Sequence, residues 1–135
     1  MRIKNRTVTC VIRCRSRILL LKRSPIVSTN PNRWSAVTGR LEENQSLEAL
    51  AYQEILEETG LNRRQVRLVR RGTAYRLRIG LGIESLVQPF LFESATRRIK
   101  LNWEHTESKW IKLTDLRTFR LIPRFDLSLK ALGLT

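Results

Sequence analysis

Acidic side chains are scarce in this chain: 12 Asp and Glu stand against 26 Lys and Arg in 135 residues, a formal charge of +14. Histidine is scarcer, with one residue, and cysteine supplies two. Cys10 and Cys14 lie four residues apart in a segment that reads as a strand. That spacing separates their α-carbons by about 13 Å, too far for a disulfide. With one His in the chain the pair does not make a zinc site either, so buried free thiols are expected. No apolar run is long enough to span a bilayer, and Met1 to Arg6 is not followed by a signal-peptide core. A cytoplasmic protein with no membrane partner is therefore expected. No repeat or linker divides the chain, and its length suits one domain, residues 1–135, with a real core.

The few acids are unevenly spread. Six of the 12 fall between Glu42 and Glu58, and Glu54, Glu57 and Glu58 stand at i, i+3, i+4. The segment Gly39 to Leu61 reads as a loop followed by a helix, with Ser46 as N-cap, helix formers through Glu58 and Gly60 as the stop. At about 100° per residue, Glu54 and Glu58 continue the stripe of Leu47, Leu50 and Ala51, and Glu57 sits at its edge. The face that ought to enter the core thus turns acidic halfway along. Inward carboxylates are costly unless paired or metal-bound, and like charges packed this closely repel. A solvated charged face would oppose the apolar stripe, whereas these acids extend it. A divalent cation, Mg2+ or Mn2+, converts the repulsion into coordination.

The segment GRLEENQSLEALAYQEILEETGL resembles the Nudix box, G-x5-E-x7-R-E-U-x-E-E-x-G-U with U a bulky aliphatic. Gly39, Glu54, Ile55, Glu57, Glu58, Gly60 and Leu61 match in register; Gln45 and Gln53 stand where the box has Glu and Arg. ILLLKR before the box, WSAVTG leading into it and EHTESKW after it are most similar to bacterial dihydroneopterin triphosphate and dATP pyrophosphohydrolases, a likeness spanning residues 6 to 118. The resemblance implies an α/β fold, a mixed β-sheet in an α/β/α sandwich with a catalytic loop-helix. It implies hydrolysis of a nucleoside or pterin triphosphate by water attack on phosphorus. Glu54, Glu57, Glu58 and the Thr38 carbonyl would hold the metal, and Glu57 or Glu104 would act as base. In the family the box Arg pairs with a neighbouring glutamate and orients it. Gln53 keeps hydrogen bonding but supplies no charge, so lower activity or a greater need for metal is expected. Gly39, Gln45, Gln53 and Gly60 would shape the box.

Around it, Val8–Cys14, Ile18–Lys22, Val66–Tyr75, Glu84–Glu93 and Lys109–Lys112 read as strands, the first two as a hairpin. Thr114 is expected to cap a short helix, Pro123–Leu132 to form a last one, and Arg76–Gly82 to be a mobile loop. Arg40, Lys22 and Arg23 flank the box in sequence and are candidates to hold substrate phosphates, although strand alternation sends Lys22 and Arg23 to opposite faces. Trp34 is near enough to the box to contact a base, and wall or core packing is the plainer account of it. His105 is expected to be a structural hydrogen-bonding residue. The arginines at 63, 64, 67, 70, 71, 76, 78, 97 and 98 with Lys100 are either solvated charge or a surface for polyanions such as RNA. The alternatives to a triphosphate pyrophosphohydrolase are an RNA 5′-end pyrophosphohydrolase and a weakly active module that binds nucleotide or RNA.

Overall fold

A computed structural model describes residues 2–135. Its centre is β1, Arg2–Cys14, a strand buried on both faces over its second half. Val8, Cys10 and Ile12 enter one core cluster and Val11 the other, as the two-residue period of a central strand requires. β1 runs parallel to β7, Ile83–Ser94, from Arg2↔Ile83 to Arg13↔Glu93. It is antiparallel to β2, Arg17–Arg23, and to β4, Val37–Arg40. β2 also pairs with β3, Trp34–Ser35, and with β8, His105–Ile111. β5, Val66–Arg71, and β6, Tyr75–Gly80, line up along the outer side of β7. One parallel pairing among antiparallel ones makes the sheet mixed.

Helix α1, Leu47–Thr59, covers one face of the sheet through Leu50, Ala51 and Ile55. Its bounds follow from its caps. The Ser46 hydroxyl accepts a hydrogen bond from the Ala49 N–H at 3.0 Å, and Gly60 takes the left-handed conformation at φ 78 while its N–H donates to the Leu56 carbonyl. The opposite face is covered by a 3-10 turn, Leu113–Thr118, and by α2, Phe125–Ala131, with Phe125 and Leu129 buried beside Leu20, Leu91 and Trp34. No helix among the described residues is long and apolar enough to cross a membrane.

Several elements differ from what local pattern suggests. Val66–Tyr75 is not one strand: the chain leaves β7 after Arg71 and rejoins it as β6 from Tyr75. Arg76–Gly82 is therefore mostly strand, with only Leu81 and Gly82 in the turn. Pairing of Arg76, Leu77 and Arg78 with Leu86, Ser85 and Glu84 decides this, and a local pattern cannot show it. β1 begins at Arg2 and β8 at His105, both earlier than expected, because their partners extend that far. The cap of the 3-10 turn is Lys112, not Thr114, and α2 begins at Phe125, two residues after Pro123. Cys10 and Cys14 are both free and buried.

Candidate active site

The inward stripe of α1 delivers the acidic cluster. Leu50, Ala51 and Ile55 anchor the helix in the core, and the same face carries Glu54, half-buried, and Glu58, with 0% exposure. Glu57 is one position round the helix and exposed. β4 approaches from the sheet. At Gly39, paired with Val8, an added Cβ would overlap Glu54 Cγ and stand 2.8 Å from its Oε1. Glycine is needed because the strand backbone lies directly against this side chain.

The segment before β8 brings in the fourth carboxylate. Asn102 accepts a hydrogen bond from the Glu104 N–H at 3.1 Å through Oδ1, and its Nδ2 donates to Glu104 Oε1 at 3.4 Å. The Ser24 N–H fixes the Glu104 carbonyl at 2.8 Å. The next residue, His105, puts Nε2 3.8 Å from Glu58 Oε1, with both side chains buried. Among the described residues, neither oxygen of Glu58 and neither ring nitrogen of His105 meets a hydrogen-bond partner in good geometry, the Thr38 backbone making only a distant approach to Glu58. Buried polar atoms are rarely left in this condition.

The electrostatics follow from crowding. Burial, then the charges of Glu104 and Glu54, push the Glu58 carboxyl up to about 10, partly offset by the Thr38 backbone. Burial and the charge of Glu57 raise Glu54 to about 7. Burial, then the positive charge of Arg23, lowers His105 to about 4. At neutral pH the Glu58–His105 contact is thus a protonated carboxyl against a neutral imidazole, not an ion pair. Cys10 lies behind the cluster; burial, then Glu58 and Glu54, raises its thiol. A divalent cation would reverse the carboxylate shifts, because it favours the charged forms. The unpartnered Glu58 oxygens and the hard-oxygen donors of Glu54, Glu57 and Glu104 fit Mg2+ or Mn2+. As the side chains stand, no three His, Cys, Asp or Glu among the described residues are gathered tightly enough to enclose an ion.

The two glutamines that depart from the box meet each other. Gln45 Nε2 donates to Gln53 Oε1 at 2.6 Å, and Gln53 Nε2 donates to Glu57 Oε1 at 3.2 Å. They border an open cavity of about 300 Å³, together with Arg40, Glu42 and Glu54.

The remaining candidates scatter. Arg40 lies at the cavity. Trp34 packs in the core on the α2 face, edge-on to Phe119 at 5.2 Å, away from α1. Lys22 pairs with Glu107 at 3.5 Å. The Arg23 guanidinium donates to the Thr29 carbonyl and hydroxyl at 2.9 and 3.0 Å, which ties down the loop after β2. Sequence reasoning missed Asn102 and the contact of His105 with Glu58. The Asn-x-Glu turn signal was available for the first; no local signal marks the second.

The sequence matches the family model of the NUDIX domain over residues 3–131. Among curated proteins, no sequence matches significantly. Among solved structures, the chain is similar to a MutT protein from Methanosarcina mazei Go1 (TM-score 0.76, 24% identity, 96% of this chain and 92% of that one). It is also similar to a C. elegans Ap4A hydrolase (TM-score 0.78, 18% identity, 96% and 95%). A third is RenU, a Nudix hydrolase from M. smegmatis (TM-score 0.81, 18% identity, 98% and 86%). At these identities the likeness is one of fold.

Proposed function

Since the chain belongs to the Nudix family of hydrolases, which act on pyrophosphate bonds and generally use a divalent cation, we propose that it is a Mg2+- or Mn2+-dependent pyrophosphohydrolase. Its substrate is a nucleoside or pterin triphosphate, cleaved to the monophosphate and pyrophosphate. The observation that carries this is Glu58, fully buried with both oxygens unpartnered, in a cluster with Glu54 and Glu104. A carboxyl kept there without a hydrogen-bond partner costs stability, a cost that a bound cation would offset.

Glu54, Glu57, Glu58 and the Thr38 carbonyl would hold the ion, which when bound neutralises phosphate oxygens and acidifies water. Glu57 and Glu104 are the candidate bases that take a proton from the attacking water. Asn102 fixes Glu104 for either role. Arg40, exposed at the cavity, is the best placed of the basic candidates to meet a phosphate. Lys22, Arg23 and Trp34 are less directly placed, since Lys22 pairs with Glu107, Arg23 with Thr29, and Trp34 packs on the α2 face. The match over residues 3–131 supports treating the chain as one catalytic domain.

A second substrate class is favoured by one feature. Arg67, Arg71, Arg76 and Arg78 are exposed along the outer strands β5 and β6, which suits a 5′-triphosphate RNA. Release of pyrophosphate and phosphate is to be measured on nucleoside triphosphates, dihydroneopterin triphosphate and 5′-triphosphate RNA, with Mg2+ or Mn2+, beside Glu57→Gln. Metal-dependent turnover that the variant abolishes supports the enzyme, and the best substrate chooses between the two classes. Metal binding without turnover on any of them contradicts it and favours a binding module.

A further inference from the structure

We infer that Gln45 and Gln53 are a matched pair of positioning residues whose amides together aim one oxygen of Glu57, and that the box residue, glutamate, is not tolerated at position 45 unless position 53 changes too. The inference rests on the proposed metal-dependent role of Glu57. It follows from the direction of the hydrogen bonds along the observed chain, Gln45 Nε2 to Gln53 Oε1 and Gln53 Nε2 to Glu57 Oε1.

A primary amide has one donating end and one accepting end. A carboxylate offers only acceptors, so Glu57 requires the donating end of Gln53. That choice turns the accepting end of Gln53 toward residue 45, which must then donate. Gln45 satisfies this, and every donation in the chain points toward Glu57. Gln45 belongs to the loop before α1, while Gln53 and Glu57 stand on successive turns of α1. The loop therefore fixes the helix carboxylate through Gln53, holding Oε1 and leaving Oε2 of Glu57 for the reaction.

A glutamate at 45 breaks the parity. It presents acceptors to the accepting end of Gln53. If Gln53 flips to satisfy it, oxygen faces oxygen at Glu57. An arginine at 53 donates on both sides and removes the conflict, while Gln45 beside such an arginine needs only to flip its own amide. The order of effects is thus fixed by hydrogen-bond direction, not by resemblance to the box.

The test is steady-state kinetics of Gln45→Glu, Gln53→Arg and the double variant, with thermal unfolding to confirm folding. Gln45→Glu is expected to lower kcat roughly ten-fold, the scale of a lost hydrogen bond to a charged group, with KM nearly unchanged. Gln53→Arg should exceed the wild type in kcat at low Mg2+, and adding it to Gln45→Glu should restore kcat. Gln45→Glu as active as wild type, or a double variant no better than Gln45→Glu, overturns the inference. Calorimetric Mn2+ titration gives a second readout free of turnover. Gln45→Met and Gln53→Met should each weaken Mn2+ binding, and their combination should be no weaker than Gln53→Met alone, because Gln45 acts through Gln53. Additive losses overturn the pairing. If the wild type turns over no substrate, the functional proposal fails while this Mn2+ cycle still decides the pairing; a wild type that binds no Mn2+ overturns both.

Discussion

The two faces of the central sheet are built from the same strands to opposite ends. On the α2 face, Val11, Leu20, Trp34, Leu91, Phe125 and Leu129 make an ordinary apolar core. On the α1 face, Val8, Cys10, Ile12, Leu50 and Ile55 begin in the same way. There the apolar stripe of α1 gives way to Glu54 and Glu58, and Glu58 and His105 are buried with no partner for their polar atoms. One face stabilises the fold and the other uses part of that stability to hold carboxylates close together. Such sites are where local rules for core residues are broken for function.

If the faces are separable in this way, damage to one should leave the other's property intact. Phe125→Ala on the α2 face should lower unfolding free energy by about 3–5 kcal/mol in urea titrations, while the folded fraction keeps its Mn2+ affinity. Loss of Mn2+ binding in parallel would show the faces to be coupled. Glu58→Gln should do the reverse: activity falls on the order of a hundredfold or more, with the urea midpoint at pH 7 unchanged or raised. A large fall in stability would mean that Glu58 is a structural residue. Gly39→Ala forces Glu54 aside, and a loss of activity of roughly ten-fold is expected, read against a melting temperature that moves little. Full activity would mean that Glu54 has room to spare. Smallest is Ser46→Ala, which removes the cap of α1 and should cost about 1 kcal/mol of stability, sharpening the comparison because it loosens the helix without touching its acids.

The pH dependence of the metal-free protein separates the faces in another way. Glu54 and Glu58 are raised from 4.5 to about 7 and about 10. Over that range the unfolded chain has lost protons that the folded chain keeps, so stability falls as pH rises. His105, lowered from 6.5 to about 4, works the other way between those values. Above pH 7 only the fall remains, carried by Glu58 and reinforced by the raised thiol of Cys10. Melting temperature should therefore decline between pH 7 and 10, and the decline should flatten in Glu58→Gln. A slope unchanged by that substitution would place its cause elsewhere.

What could be read from the chain alone was what local chemistry specifies. Ser46 and Gly60 fix α1 by capping, and the phase of its residues already puts Glu54 and Glu58 inward. The mixed sheet followed from resemblance, since the β1–β7 parallel pairing joins residues some eighty positions apart. β6 was mistaken for a loop because its arginines and glycines read as turn chemistry until β7 supplies the pairing. Trp34 packs on the α2 face and Lys22 pairs with Glu107, contacts that join distant strands and that closeness to the box in sequence does not show. The pairing of Gln45 with Gln53 was invisible because it requires the loop to fold back eight residues onto the helix.

The most direct test of the central claim is Mn2+ calorimetry at pH 7.5 in two buffers of different ionisation heat, comparing the wild type with Glu58→Gln. Ion binding that converts the protonated Glu58 carboxyl into a ligand should release about one proton per site. That release should fall to the small fraction that Glu54, raised to about 7, still contributes, and affinity should fall, in the variant. Binding of Mn2+ with no proton released, or with equal affinity in Glu58→Gln, would contradict the account.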